Sequence, residues 1–437
     1  MCMKTHMRQT IFTITQITDG FLVAACPLTL SVCQPEAYVK TMKRQSTDIV
    51  IAGGGVAGLT AAAAFGTAGF NTTIIDPTPP ITTRDAEGSD LRTTAFLQPA
   101  QQFLDKAGLW PRLEPHATPL QVMRIVDIGT DAHVTRDFDA ADISDQPFGW
   151  NLPNWLLRRE MVARLSALPN VDFRPGIGFA RMLPRSNEAI VTLSDGSQLS
   201  AKLVIGADGR NSAVRQSADI SVKTMRYGQK AITFAVTHDA PHDNVSTEIH
   251  RAGGPFTLVP LPDHDGKPCS AVVWMESGAE AQRLAALDDS AFEAAANERS
   301  AFLYGPLKLV SRRSLWPIIS QIADALTAPR TALVAEAAHV MPPIGAQGLN
   351  MSLRDLSCLL DLAIAQPDQL GAPAMMAAYA RKRQPENNRR VTGIDALNRA
   401  SIAGSPPMQA LRTKGIEALY GITPVRKALM QMGLGAG

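Results

Sequence analysis

Three glycines between residues 53 and 58 carry the clearest chemical signal in the sequence. Gly53, Gly55 and Gly58 have G-x-G-x-x-G spacing, between a β-branched run at residues 48–52 and a run of small helix-forming residues. A second strand-like run ends at Asp76, 21 residues after Gly55. This order predicts a βαβ unit that binds a dinucleotide, with the carboxylate accepting hydrogen bonds from an adenosine ribose. A Gly/Ala-rich helix packed on a buried sheet is the alternative, which the strand, glycine, helix and acid order disfavours.

Each position of this motif has its own task. Gly53 permits the tight turn, Gly55 lets the backbone approach a pyrophosphate, and Gly58 allows the helix to pack closely on the strand. The first helical residues, Val56 and Ala57, lie where free backbone N–H groups point at the phosphates.

A second loop follows a predicted hairpin at residues 190–202. A buried strand at residues 203–206 leads into Asp208 and Gly209, and Ser212 and Arg215 stand near the start of a helix. An ordinary strand–turn–helix connection built on an Asp-Gly turn is the alternative interpretation.

A third loop lies at residues 331–350. A strand-like run leads to Ala335 and Glu336, and a Pro- and Gly-rich stretch at residues 341–348 opens a helix near Asn350. Backbone N–H groups at such a helix start can face a ligand.

These three loops resemble the motifs of flavin-dependent aromatic hydroxylases, particularly those of ubiquinone biosynthesis. The D-x-R string from Asp90 to Arg92 and the amphipathic segment at residues 155–165 share this resemblance. The resemblance extends over roughly residues 46–433 in the family's order. It implies an α/β fold like that of para-hydroxybenzoate hydroxylase: a Rossmann-like FAD-binding domain, an inserted antiparallel β-sheet substrate domain and a C-terminal helical segment. The expected boundaries are 46–120, 151–218 and 323–370 for the FAD-binding domain, 121–150 and 219–322 for the substrate domain, and 371–437 for the helical segment.

The same resemblance implies which residues contact FAD: Gly53, Gly55, Val56, Ala57, Gly58, Asp76, Arg92, Arg158, Asp208, Gly209, Arg215, Glu336, Pro343, Gly345, Gly348, Leu349 and Asn350. Pro343, Gly345 and Gln347 are the candidates beside the isoalloxazine, and no side chain is expected to act as a nucleophile. On the residues alone, Arg92 is more simply a solvated surface residue, and Arg158 is equally well a helix-surface arginine.

Two residues depart from the family pattern. Ala335 and Glu336 stand where the family has Gly-Asp, whose carboxylate holds the ribityl chain. Glutamate keeps the charge and adds one methylene, so we expect a shifted contact and a retained cofactor.

The implied chemistry uses FAD, with NADPH or NADH as a transient electron donor, since there is no second G-x-G-x-x-G. NAD(P)H reduces the flavin, O2 adds at its C4a position, and the resulting hydroperoxide transfers oxygen to a small apolar aromatic substrate, for this family a prenylated phenol. Two alternatives remain open: a prenyl-lipid reductase of the same fold, and an accessory subunit of a quinone-biosynthesis complex with a weakened flavin site.

Composition excludes other classes of function. The net charge of +2 argues against a nucleic-acid partner. The five cysteines have neither C-x-x-C nor zinc spacing, which favours reduced, cytoplasmic thiols. His238, His242, His250 and His264 lack metal-ligand spacing and are interpreted as surface or sheet residues, so no metal site is predicted.

The two ends of the chain differ from the middle. Residues 1–45 contain no uninterrupted apolar run long enough for a membrane span and are interpreted as a disordered or non-native extension. From Arg381 onward there are ten Lys or Arg against three Asp or Glu. Apolar residues beside these charges could lie on the inner face of a membrane or on a partner protein, but packing of this segment on the body is the preferred interpretation.

Overall fold

The computed structural model describes residues 44–128, 133–251, 253–402, 420 and 422–434. The predicted extension at residues 1–45 therefore lies almost entirely outside the described residues. The strands are β1 Gln45–Ala52, β2 Thr72–Asp76, β3 Thr93–Leu97, β4 Thr118–Leu120, β5 Val122–Ile128, β6 His133–Asp139, β7 Gly149–Pro153, β8 Val171–Pro175, β9 Phe179–Pro184, β10 Ala189–Leu193, β11 Gln198–Gly206, β12 Val222–Thr237, β13 Val245–Arg251, β14 Gly254–His264, β15 Lys267–Ser277, β16 Lys308–Leu309, β17 Ser314–Ala323, β18 Thr327–Ala328, β19 Thr331–Leu333 and β20 His339–Val340.

Among the described residues, the α-helices are α1 Val56–Thr67, α2 Gln98–Lys106, α3 Trp110–Leu113, α4 Asn154–Ser166, α5 Ala213–Ser217, α6 Gly278–Ala285, α7 Asp289–Arg299, α8 Ala335–Ala338, α9 Gln347–Ala365, α10 Pro373–Ile402 and α11 Thr423–Leu434. None of the helices in this part of the chain combines the length and apolar character needed to cross a membrane.

The first sheet brings the three predicted loops to one edge. Its strand order is β18-β19-β11-β1-β2-β8, and the strands from β19 to β8 run parallel. Ala52 at the end of β1 pairs with Gly206 at the end of β11, which pairs with Leu333 at the end of β19. Because parallel strands end at the same edge, the loops after these three residues meet there.

The core of this sheet explains its parallel arrangement. Ile49, Val50 and Ile51 of β1 have no exposed surface, so both faces of the strand are covered. Such a continuous apolar run is typical of a central strand in a parallel sheet flanked by helices. The sequence-based expectation of an α/β fold with a Rossmann-like domain is confirmed.

The second sheet forms the inserted part of the fold, in the order β20-β17-β12-β15-β14-β13-β5-β6. One of its faces packs Ile232, Phe256 and Trp274 against α6 and α7, where Phe292 is fully buried. The opposite face is free to line a cavity. The sheet is antiparallel as predicted, except that β5 pairs in parallel with β13, because β5 arrives from an earlier part of the chain and not through a hairpin.

β6 extends to Asp139 at the edge of the second sheet, where polar residues are tolerated because one side has no neighbouring strand. β17 runs through Trp316 and Pro317 and continues to Ala323. Pro317 sits where the register with β12 shifts, a position at which a missing N–H costs little.

The described residues of the C-terminal segment pack on the body. Met430 is buried with Ala140 and Phe148, and Arg426 forms an ion pair with Asp142 at 3.1 Å. Tyr420 stacks edge-on against Phe138 with ring centroids 5.5 Å apart. The apolar side chains at 416, 419, 429 and 432 of the same segment are not among those that the structure describes.

Candidate functional site

A cavity of about 1290 Å³ lies between the loop edge of the first sheet and the free face of the second. Most of the sequence-predicted site residues line it: Gly53, Gly55, Val56, Ala57, Asp76, Arg92, Arg158, Asp208, Gly209, Glu336, Pro343, Gly345, Gln347, Gly348 and Leu349. Gly58, Arg215 and Asn350 are not part of the lining, and each of these three instead holds a neighbouring loop in place.

The N-terminus of α1 is available to a ligand. Gly55 occupies the N-cap position, no side chain caps the helix, and its first turn contains no acidic residue. The amides of Val56 and Ala57 therefore keep their hydrogen-bonding capacity, and the positive end of the helix dipole favours a negatively charged group. This arrangement suits a pyrophosphate.

The glycines divide into those that touch protein and those that face open space. A Cβ on Gly58 would lie 1.9 Å from the carbonyl oxygen of Gly53, so this glycine serves helix–strand packing. Within the described part of the chain, a Cβ on Gly55, Gly209 or Gly348 would meet no atom of another residue within 4 Å. Bare backbone from three separate loops thus faces the same cavity, which is the cradle that a dinucleotide such as FAD requires.

Asp76 lies at the end of β2, beside the glycine turn. Its Oδ2 accepts a hydrogen bond from the amide of Gly54, and its Oδ1 accepts one from Thr78 at 2.7 Å. These two bonds orient the carboxylate at the cavity wall. Each oxygen retains a second lone pair, so ribose hydroxyls can still donate to it.

The D-x-R string forms an ion pair within itself. Asp90 accepts two hydrogen bonds from Arg92, at 2.8 and 2.7 Å, and Arg158 from α4 approaches the same carboxylate at 3.5 Å. Burial alone would raise the pKa of Asp90, but hydrogen bonding to Arg92 and the nearby positive charges hold this pKa below its usual value. The guanidinium of Arg92 also stacks over Trp316, 4.1 Å from the ring centroid. Two arginines against one carboxylate give this part of the cavity wall a local excess of positive charge.

The loop after β11 is fixed by its own side chains. Asp208 accepts hydrogen bonds from the hydroxyl of Ser212 at 2.5 Å and from the amide of Val214 at 3.0 Å, which caps the short helix α5. Arg215 is buried and donates to the carbonyls of Arg210 and Ala337. The buried guanidinium of Arg215 thus joins the second loop to the third, and its predicted contact with FAD stays a prediction.

The third loop begins with the two residues that depart from the family pattern. Ala335 has φ of 55°, a left-handed conformation that favours glycine. Glu336 lines the cavity with its side chain about half exposed, and its Oε2 lies 3.4 Å from Nε of Arg210. The carboxylate is thus held within the site by a cation from the second loop.

Asn350 ties the start of α9 to β3. Its Oδ1 accepts from the amide of Leu97 at 2.8 Å, and its Nδ2 donates to the carbonyl of Ala95 at 2.8 Å and to that of Ala346. Gln347 donates to the carbonyl of Gly345 at 2.9 Å, across the tip of the loop. These bonds fix the Pro- and Gly-rich loop against the cavity.

A buried charge network supports this loop from behind, and sequence reasoning missed it. Asp355 of α9 has no exposed surface and accepts from His339 at 2.8 Å and from Arg383 of α10 at 2.7 Å. Glu386 then joins Arg383 to Arg390, and Arg390 donates to Oε1 of Gln347 at 3.0 Å. The spacing of Arg383 and Glu386 on one helix face was a visible signal, but the partner at 355 lies on another helix.

The other half of the cavity is mainly apolar. The lining here comes from the second sheet, the end of β4, the residue before β7, and α11: Leu120, Val122, Met123, Ile125, Phe138, Phe148, Val259, Val273, Ile318 and Met430. Leu397 of α10 also lines the cavity while remaining 56% exposed, which places it at the opening. A largely apolar chamber beside a dinucleotide cradle suits an apolar ring.

Comparison with known proteins agrees with this geometry. Residues 46–393 match the family model described as FAD binding domain. The ubiquinone hydroxylase UbiL of Rhodospirillum rubrum is 34% identical over 394 residues, which cover 89% of each chain. The 3-demethoxyubiquinol 3-hydroxylase of Escherichia coli is 25% identical over 398 residues, covering 90% of this chain and all of the relative. The crystal structure of p-nitrophenol 4-monooxygenase from Pseudomonas putida has the same fold, with a TM-score of 0.73 and 18% identity, over 89% of this chain and 98% of that one.

Proposed function

Because the chain belongs to the ubiquinone-biosynthesis hydroxylase family of FAD-dependent aromatic monooxygenases, we propose that its own substrate is a prenylated phenol of ubiquinone biosynthesis, hydroxylated with NAD(P)H and O2. The observation that carries this proposal is the meeting of Gly55, Gly209 and Gly348 at one cavity whose far side is apolar. The binding region for one nucleotide therefore lies directly beside an apolar chamber that can hold an aromatic ring.

The residues of the cradle fit FAD, and each has a separate role in our proposal. The amides at the start of α1 hold the pyrophosphate, and Asp76 accepts hydrogen bonds from the adenosine ribose. Glu336 holds the ribityl chain, with Arg210 orienting its carboxylate. Arg92 and Arg158 line the same cavity and offset the negative charge of the nucleotide.

Bound FAD supplies the electron transfer and oxygen activation, and the protein controls position and solvent. The loop from Pro343 to Gly348 presents backbone to the ring system, and Asn350 and Gln347 keep that loop rigid. Apolar side chains such as Phe138, Phe148 and Met430 exclude water from the reacting ring. Oxygen transfer to the ring requires that the reacting groups be held in fixed positions and that water be excluded, because water would otherwise consume the oxygen-donating group.

The cellular setting also belongs to this proposal. We place the protein in the cytoplasm, at the inner face of the membrane, in contact with other quinone-biosynthesis proteins. The support is the excess of ten Lys or Arg over three Asp or Glu from Arg381 onward, and the exposure of Ile422 and Val425 beside them. Flotation with vesicles of anionic lipid, compared with neutral vesicles, tests the membrane contact: equal recovery with both kinds would contradict it.

The enzymatic experiment uses purified full-length protein reconstituted with FAD. A prenylated phenol should stimulate NAD(P)H oxidation and gain one oxygen atom, and 18O2 should label the product. A prenyl-lipid reductase would instead turn over without O2. An accessory subunit with a weakened flavin site, the alternative that Ala335 and Glu336 favour, would bind FAD weakly and would recover affinity when these residues are changed to Gly and Asp.

Deletion of the gene provides the test inside the cell. The quinone precursor that accumulates should lack one ring hydroxyl, and its structure identifies the ring position. Normal quinone content in the deletion strain would remove the biosynthetic assignment, even if the purified protein oxidises NAD(P)H.

A further inference from the structure

The free face of the second sheet presents one charged side chain to the cavity. Five residues that are direct neighbours on five adjacent strands all line it: Ile125, Glu248, Thr257, Val273 and Thr233. At a strand spacing of about 4.8 Å this row spans about 19 Å. Glu248 is its only charged member, and the other charged lining residues in the described part of the chain come from the nucleotide-binding segments.

Glu248 is held by a histidine on the same strand. Its Oε1 lies 2.8 Å from Nε2 of His250, and these side chains are only 18% and 10% exposed. Residues two apart on a strand share a face, so His250 approaches the carboxylate from within the sheet surface. Oε2 of Glu248 has no hydrogen-bond partner among the described residues, so a lone pair remains for a ligand in the cavity.

The histidine has an unusual environment. Nδ1 of His250 is buried, and no residue in the described ranges hydrogen-bonds to it. The ring nevertheless keeps its contact with Glu248. The imidazole therefore lies against one carboxylate oxygen of Glu248, which leaves the other oxygen available to a ligand in the cavity.

We propose that Glu248 is a catalytic residue that accepts the proton of the substrate's phenolic hydroxyl during ring hydroxylation, and that His250 is its positioning residue. This inference rests on the proposed function, because it requires a phenol in the apolar chamber. A half-buried carboxylate in an otherwise uncharged row marks where the polar end of such a substrate lies. Hydrogen bonding to this carboxylate also compensates for burying the hydroxyl.

The proton transfer balances as follows. As a ring carbon bonds the incoming oxygen atom, electron density leaves the phenol oxygen, its O–H bond breaks, and the proton moves to Oε2 of Glu248. The O–H electron pair becomes the second C–O bond of a dienone. Rearomatisation then releases the proton of the hydroxylated carbon to solvent and returns a proton from Glu248 to the phenol oxygen, which restores the carboxylate. The oxidant is O2: its O–O bond breaks, one oxygen atom enters the ring and the other leaves as water, and NAD(P)H of the proposed function supplies the two electrons.

A carboxylate is a suitable base for a proton that becomes acidic only during oxygen transfer. A carboxylate is a much weaker base than a phenolate, so it does not ionise a resting phenol. The phenol proton becomes acidic only as the ring loses electron density, and a positioned base then accelerates the step by about 10²- to 10⁴-fold. A substrate that is already ionised gains nothing from Glu248 and is repelled by it.

The test compares FAD-loaded Glu248→Gln with FAD-loaded Glu276→Gln. Glu276 lies on β15 of the same sheet. Because side chains alternate between the two faces of a strand, Glu276, three residues after the cavity-lining Val273, lies on the opposite face. In single-turnover experiments with an alkylphenol, we expect E248Q to hydroxylate about 100-fold more slowly with unchanged FAD binding and melting temperature. E276Q should stay within twofold of the wild type.

Two binding measurements report the contact without turnover. The 19F resonance of bound 4-fluorophenol should move in E248Q and not in E276Q, because the hydroxyl loses an anionic acceptor. Pentafluorophenol, which is ionised at pH 8, should bind more tightly to E248Q than to the wild type. His250→Gln should slow hydroxylation less than E248Q does, and should add nothing in the E248Q background.

Several results would overturn the proposal. Wild-type hydroxylation rates in E248Q, or an unchanged 19F resonance, remove Glu248 from the substrate site. Additive effects of the two substitutions remove the positioning role of His250. If the wild type hydroxylates no phenol, the proposed function fails, and the fluorine measurements still decide whether Glu248 contacts a phenolic hydroxyl.

Discussion

Replacing Gly55 or Gly58 with alanine should separate cofactor binding from folding within a single motif. The two glycines are three residues apart, and both belong to the G-x-G-x-x-G string. A methyl group on Gly55 meets no protein atom within 4 Å, whereas one on Gly58 falls 1.9 Å from the carbonyl oxygen of Gly53. The first methyl therefore occupies space reserved for a ligand, and the second occupies space already filled by backbone.

The expected magnitudes follow from these contacts. Gly55 has φ of −72°, which alanine adopts without strain, so the gain of about 0.4–1 kcal/mol from a stiffer unfolded chain roughly offsets the preference of an N-cap for glycine. Apoprotein stability should then change by less than about 0.5 kcal/mol. The FAD affinity of Gly55→Ala should fall by about 2–3 kcal/mol, about 30- to 150-fold, since the pyrophosphate can no longer approach the backbone. Gly58→Ala should lower the free energy of unfolding by about 3 kcal/mol.

Urea unfolding of the apoproteins measures stability, and quenching of flavin fluorescence measures affinity. Gly393→Ala is the matched control, because this glycine lies in α10 with open space around it and outside the cavity lining. The control should gain about 1 kcal/mol of stability from helix propensity and bind FAD normally. Wild-type FAD affinity in Gly55→Ala would mean that the pyrophosphate lies elsewhere, and wild-type stability in Gly58→Ala would contradict the packing role.

Three further predictions concern the residues around the cradle. Ala335→Gly should raise the free energy of unfolding by about 1 kcal/mol in urea, since Ala335 has φ of 55°, while Ala286→Gly, at φ of −87°, should lower it. Glu386→Gln should destabilise the protein by about 2 kcal/mol and accelerate FAD release in stopped-flow measurements, because Arg383 and Arg390 lose their shared partner. The lowered pKa of Asp90 means that its ion pair stabilises the protein above about pH 4 and that this contribution is lost as the pH falls through the lowered value. Asp90→Asn should therefore be less stable than the wild type at pH 7, and the difference should shrink as the pH falls through the lowered pKa of Asp90; a difference that stays constant from pH 7 into the acid range would refute the linkage.

The cradle was predictable because its signals are local. A strand, a glycine turn and a helix follow one another around Gly55, and similar short strings surround Asp208 and Gly348. The convergence of the three loops then follows from topology, since Ala52, Gly206 and Leu333 are in register at the ends of parallel strands. Even the pairing of Asp90 with Arg92 takes place within three residues.

The features of the site that the sequence did not predict depend on contacts between distant parts of the chain. Nothing in the sequence near Asp355 reveals that its carboxylate receives Arg383 from another helix. The same holds for Glu248, whose place among cavity residues depends on the register of five strands and on a parallel pairing with β5. A one-residue slip in that register would turn Glu248 to the opposite face, so no local pattern could have located it.

The departure at residues 335 and 336 is the feature that most directly opposes a working flavin site, and its surroundings argue for compensation. Ala335 keeps the left-handed turn that the family's glycine would adopt, at a cost of about 1 kcal/mol. The longer side chain of Glu336 reaches Arg210 on the neighbouring loop. Burial alone would lower the pKa of Arg92, but the hydrogen bonds and charge of Asp90, together with the charge of Glu336, raise it. A degenerate scaffold would have no reason to keep a cavity-facing carboxylate between two arginines. The extra methylene is therefore better explained as a shifted contact in a site that still binds its cofactor.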